Sequence, residues 1–180
     1  VNVVPGEYRV EFGGFPVNAS AGPNNPAGTQ YIGTMQTGNA YIKDAQLDGA
    51  DAFNVPLRFS GSVNNGLDVV LAFGSGRVEG TVTDGRSQPV TAGMVVAVPD
   101  RLRFRTDLYR PAAIDPGGKF TFPSLPPGDY RIFAWESVEA NGWFDPDLLA
   151  RSEGRAHSVH VAEMSTQTIS MQIIPAEGSR

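Results

Sequence analysis

The chain has 180 residues, enough for one large domain or two of about 90 residues, each able to bury a core. Its formal charge is −5, a balance that argues against nucleic acid, where a basic face is needed, and no apolar run approaches the length of a bilayer span. It has no cysteine, which excludes disulfides, thiol catalysis and cysteine-based metal sites, while 21 glycines and 14 prolines spread along the chain favour many short strands over long helices.

The first copy of a repeat opens the chain. Val4-Pro5-Gly6-Glu7-Tyr8-Arg9-Val10 returns, little changed, as Pro126-Pro127-Gly128-Asp129-Tyr130-Arg131-Ile132. In each copy the glycine is expected to supply the positive φ of a tight turn. The tyrosine is then expected to enter a core with its hydroxyl on the backbone, as in the tyrosine corner of sandwich domains. Tyr8 and Tyr130 are therefore expected to be equivalent and buried. Only Val1–Val3 precede the first copy, whereas residues 76–123 supply strand-like sequence before the second. The expectation is that the first module is incomplete at its N-terminus and is completed by upstream residues or a neighbouring subunit.

Between the copies, Tyr8–Phe12, Gln30–Gln36, Ala40–Leu47 and Leu67–Phe73 read as strands, and residues 13–28 as loop. Asn18-Ala19-Ser20 fits a glycosylation acceptor, a short pattern that usually arises by chance. Gly74-Ser75-Gly76 is a very short linker, giving modules over residues 1–74 and 75–180.

From Gly76 the signal is cleaner. Val78, Gly80 and Val82 alternate with polar residues, the period of a strand with one buried face, and Asp84-Gly85 is a turn. Met94–Val98 is an apolar strand; Arg101–Arg110 reads as edge strand or loop. Asp115-Pro116-Gly117-Gly118 is a turn into the strand Lys119–Phe122, and Pro126–Asp129 a turn into Tyr130–Trp135. Residues 136–154 read as an acidic loop with a helical turn over Pro146–Arg151, followed by strands His157–Val161 and Gln167–Ile174. Seven short strands with regularly spaced turns predict an all-β sandwich.

Three stretches carry a family resemblance: Gly76-x-Val78-x-Gly80-x-Val82-x-Asp84; Pro89-Val90-x-x-Gly93-x-Val95-Val96; and Asp115-x-x-Gly118-x-Phe120-x-Phe122 running on to Leu125-Pro126-Pro127-Gly128-Asp129-Tyr130. Through them the chain resembles the carboxypeptidase regulatory-like domains of bacterial secreted proteins. These are close to the transthyretin-like (prealbumin-like) and collagen-binding B-type sandwiches. The resemblance implies tandem immunoglobulin-like or prealbumin-like sandwiches in a secreted or cell-surface protein.

Candidate chemistry is sparse. His157 and His160 are three apart, which on a strand puts them on opposite faces and argues against one metal site. Iron dioxygenases on a related sandwich separate their two histidines by one residue, and transthyretin-like hydrolases end in Tyr-Arg-Gly-Ser; this chain matches neither pattern. Glu136, Glu139, Asp145 and Asp147 lack regular calcium spacing and read as a solvated loop. The strands that would carry a pilin-type isopeptide in residues 76–180 lack the lysine and the asparagine. Trp135, Trp143 and Phe144 are candidates for a sugar-stacking platform, against a core role that is commoner for such rings. The expectation is a non-catalytic structural or assembly module, in a filament or in adhesion, without cofactor or metal. Its expected partners are other subunits or upstream domains of the same parent chain. The alternatives are a carbohydrate-binding module and an accessory domain of a larger secreted enzyme.

Overall fold

The structure is a computed structural model that describes residues 5–9, 40–59 and 66–176. The strand expected over Gln30–Gln36, most of Tyr8–Phe12 and the acceptor Asn18 lie outside the described residues. The chain divides into two compact units, Val1–Phe73 and Gly74–Arg180.

In the first unit, β1 (Gly6–Tyr8) pairs antiparallel with β4 (Leu57–Phe59). A separate sheet has the order β3 (Ala50–Asp51), β2 (Ala40–Leu47), β5 (Leu67–Phe73). Asp48 and Gly49 both have positive φ, which forms the two-residue hairpin between β2 and β3. Ile42, Ala45, Ala52 and Leu57 are buried, whereas Leu67, Val69, Val70 and Phe73 of β5 are exposed.

Tyr8 corrects the repeat expectation. It is 38% exposed, against 3% for Tyr130. Gly6 does not take the positive φ that Gly128 adopts at +153°. The Tyr8 ring lies back along its own strand, 3.3 Å from where a Gly6 Cβ would sit, and its strand pairs with the three-residue β4. Tyr130 instead lies on an inner strand between two others. The shared motif starts a strand in both places but forms a tyrosine corner in one.

The second unit is the sandwich expected from the strand pattern. One sheet has the order β11 (His157–Val161), β10 (Gly128–Trp135), β7 (Met94–Pro99), β8 (Arg110–Ala113), all antiparallel. The other has the order β12 (Thr166–Gln172), β6 (Gly76–Thr83), β9 (Lys119–Leu125), with β12 parallel to β6. Val78, Val82, Phe120, Phe122 and Ile169 of the second sheet face Val95, Tyr130, Ile132 and Val159 of the first across the core. Gly80 is required at its position. A Cβ there would meet the Ile169 carbonyl oxygen at 2.3 Å and the Phe120 ring at 2.9 Å.

The four-stranded sheet is buried on both faces. Its outer side packs Val96, Val98, Phe133 and Trp135 under Tyr109, Trp143 and Leu149. That explains the uninterrupted apolar runs of β7 and β10, which one buried face would not require. Residues 101–109 settle the edge-strand-or-loop ambiguity. They form a loop with a 3₁₀ turn at Thr106–Leu108, and the edge strand begins at Arg110.

Candidate functional site

The candidate aromatics fall on the connection from β10 to β11. This segment has a 3₁₀ turn at Gly142–Phe144 and a helix α1 at Pro146–Ser152. Asp145 caps α1 by accepting from the Asp147 amide at 2.9 Å, and Pro146 occupies its first turn, where no amide donor is needed. The segment read as a solvated acidic loop is therefore a cover. Its acidic residues face out or cap, while Trp143 and Leu149 press on the sheet. The signal was present in the paired apolar residues Trp143-Phe144 and Leu148-Leu149.

The three rings have unlike environments. Trp135 is 3% exposed; its indole donates to the Ser152 hydroxyl at 3.1 Å, and its ring stacks on Phe133 at 5.1 Å with an interplanar angle of 3°. Trp143 is 9% exposed. Phe144 is 39% exposed, tilted against Tyr109 at 5.0 Å and Trp143 at 6.1 Å. Stacking a sugar needs a ring face open to solvent, and of the three only Phe144 is substantially exposed. Trp143 and Phe144 are neighbours, whereas Trp135 is part of the sheet beneath.

An ion-pair network anchors the cover at its far end. Glu153 bridges two arginines, with Oε1 2.9 Å from Arg131 Nε and Oε2 2.9 Å from Arg103 Nη2. Arg131 also donates to the Glu153 carbonyl at 3.0 Å and contacts Ser158 on β11. Arg105 is buried and holds Asp107 through two bonds, at 2.6 and 2.7 Å. Tyr109 donates to the Arg103 carbonyl at 2.9 Å, and burial pushes its hydroxyl pKa up.

The remaining candidates are dispersed. His157 and His160 fall on alternate faces of β11; His160 is exposed and meets Asp129 at 2.7 Å. Glu136 accepts from the Ala176 amide at 3.0 Å. Asp84 accepts from the amides of Arg86 and Gln88, which holds its carboxyl below the usual value, and Asp115 accepts from those of Gly117 and Lys119. Among the described residues no group of three or more His, Asp or Glu side chains is arranged to hold a metal ion. An open cleft of about 870 Å³ lies between the Pro89–Ala92 loop, Glu136, Arg155 and Gln172. No helix among the described residues is long and apolar enough to cross a membrane.

No protein-family model matches the sequence. No curated protein matches it either. Among solved structures, a candidate carbohydrate-binding protein from Pseudomonas aeruginosa is similar with a TM-score of 0.37 at 17% identity, over 55% of this chain and 88% of that one. The major pilin subunit of Bacillus cereus gives 0.36 at 12% identity, over 74% of this chain and 56% of that one. The minor pilin of Streptococcus agalactiae gives 0.35 at 14% identity, over 69% and 61%.

Proposed function

We propose that the chain is a non-catalytic structural module of a secreted or cell-surface protein, acting through contact with other subunits or with further domains of its parent chain. In this reading residues 1–74 and 75–180 are two sandwich modules, the second of the carboxypeptidase regulatory-like kind. The observation that carries it is the employment of the reactive side chains. Tyr130, Tyr109 and Trp135 bond to the backbone or to a serine, Arg131 and Glu153 fasten the cover, and Asp84, Asp115 and Asp145 hold turns or a cap. None of these forms a nucleophile–base pair or an open ligand set.

The exposed ring of Phe144 favours a second reading, a sugar contact on the cover. A glycan array with the intact chain and Phe144→Ala separates the two, together with elemental analysis of the purified protein. The structural reading expects no saturable glycan binding and no stoichiometric metal. Glycan binding lost in Phe144→Ala would establish the second reading in its place.

A further inference from the structure

The sandwich of the second unit has four edge strands, and they are not alike. β8 is four residues long and carries Arg110 and Pro111. β9 carries Lys119 and Pro123, and its pairing with β6 shifts between Gly76 and Val78. β11 is five residues long and carries two histidines, with Arg131 reaching over Ser158. Short length, charge, proline and register breaks are the devices that stop an edge from recruiting another strand. β12 has none of them. Its sequence Thr-Gln-Thr-Ile-Ser-Met-Gln is uncharged and proline-free, and it runs beside β6 for seven residue pairs without a break.

The direction of its free backbone groups follows from the ladder. The Arg77 amide donates to the Ser165 carbonyl at 2.7 Å, and the Ile173 amide donates to the Thr83 carbonyl at 2.9 Å. Odd-numbered residues therefore address β6, and Thr166, Thr168, Ser170 and Gln172 direct their amides and carbonyls outward. Among the described residues β12 has no strand on that side.

Building on the structural-module reading, we propose that this edge pairs antiparallel with the β12 of a second copy of the chain, about a two-fold axis at Ile169. In that register Thr168 faces Ser170 of the second copy and Thr166 faces its Gln172. All four outward-directed residues become hydrogen-bonded pairs, roughly eight bonds in all. The strand is self-complementary in the way a two-fold contact requires. Each copy carries −5 overall, yet this edge brings no like charges together. Antiparallel pairing also carries Met164, 82% exposed just before β12, towards the partly buried Ile173 that follows the other strand. The backbone ladder alone would accept any strand; the apolar match at both ends of the paired strands is what points to a second copy.

Sedimentation velocity of the intact chain across concentration is the test. The wild type is expected to pass from monomer to dimer and stop there. Thr168→Lys with Ser170→Lys places lysines directly opposite each other twice per dimer and is expected to weaken association roughly tenfold or more. Thr168→Lys with Ser170→Glu places opposite charges at the same positions and is expected to restore it. Circular dichroism checks that both variants keep the fold. A wild type monomeric throughout overturns self-pairing but leaves the structural-module reading to the glycan and metal measurements. Equal association of the two double variants, or open-ended growth in place of a dimer, also overturns it.

Discussion

The hydroxyl of Tyr130 donates to the carbonyl of Pro126 at 3.0 Å, four residues upstream and out of contact with water. This bond ties the Pro-Pro-Gly-Asp turn to the strand it launches. Gly128, at φ +153°, allows the chain to bend back far enough for the ring to lie in the core.

Truncating that ring, Tyr130→Ala, should cost about 3 kcal/mol or more, as for other large buried aromatics. Tyr130→Phe removes only the hydrogen bond and should cost about 1 kcal/mol. The same truncation at Tyr8, an exposed ring, should stay within about 1 kcal/mol. Denaturant midpoints for the three variants check the ranking. Equal losses at positions 8 and 130 would restore the symmetry of the two motifs.

Alkaline stability should report on the same hydroxyl. Burial pushes the Tyr130 pKa far above its ordinary value of 10.0, outweighing the opposing pull of Arg110 and Arg105. Above pH 10 the unfolded chain loses this proton while the folded chain keeps it. Stability is therefore intact below that pH and falls as pH rises above it, by about 1.4 kcal/mol per pH unit for one such group. Tyr109, shifted in the same direction, adds to the slope. Tyr130→Phe should flatten the decline between about pH 10 and pH 11, seen by urea titration. An unchanged slope would refute the assignment.

Both tryptophans should behave as interior groups. Trp135 and Trp143 are almost closed to solvent, so native fluorescence should be blue-shifted and weakly quenched by iodide, with both features lost on unfolding. Strong quenching in the native state would mean that the 136–156 cover stands away from the sheet.

Gly80→Ala should destabilise the second unit by about 2 kcal/mol, because the new methyl meets the Ile169 carbonyl and the Phe120 ring. Thermal unfolding measures the loss. A neutral result would place β12 farther from β6 than the ladder requires.

Much of the second unit was legible because its information is local. The alternation Val78-x-Gly80-x-Val82 marked β6, and Asp84-Gly85 and Asp115–Gly118 marked turns that the structure closes with aspartate side chains. The helical turn read over Pro146–Arg151 coincides with α1 at Pro146–Ser152. What escaped depends on distant packing. Trp135 is used up beneath Ser152 because residues 136–156 fold back over it, and neither strand period nor composition carries that information. Tyr8 shows the converse: a closely similar local sequence meets different surroundings, and the surroundings decide burial.

The parallel pairing of β6 with β12 bears on how the chain is made. Arg77 and Thr166 are neighbours in the ladder yet lie almost at opposite ends of the second unit. A nascent chain leaving the ribosome exposes β6 long before β12 exists, and the three-stranded sheet stays unfinished until β12 is released. Such non-local closure gives a high contact order and slow folding. Until β12 emerges, one side of β6 is an uncovered edge, and the interval before Thr166 is made leaves that edge open to mispairing with neighbouring strands.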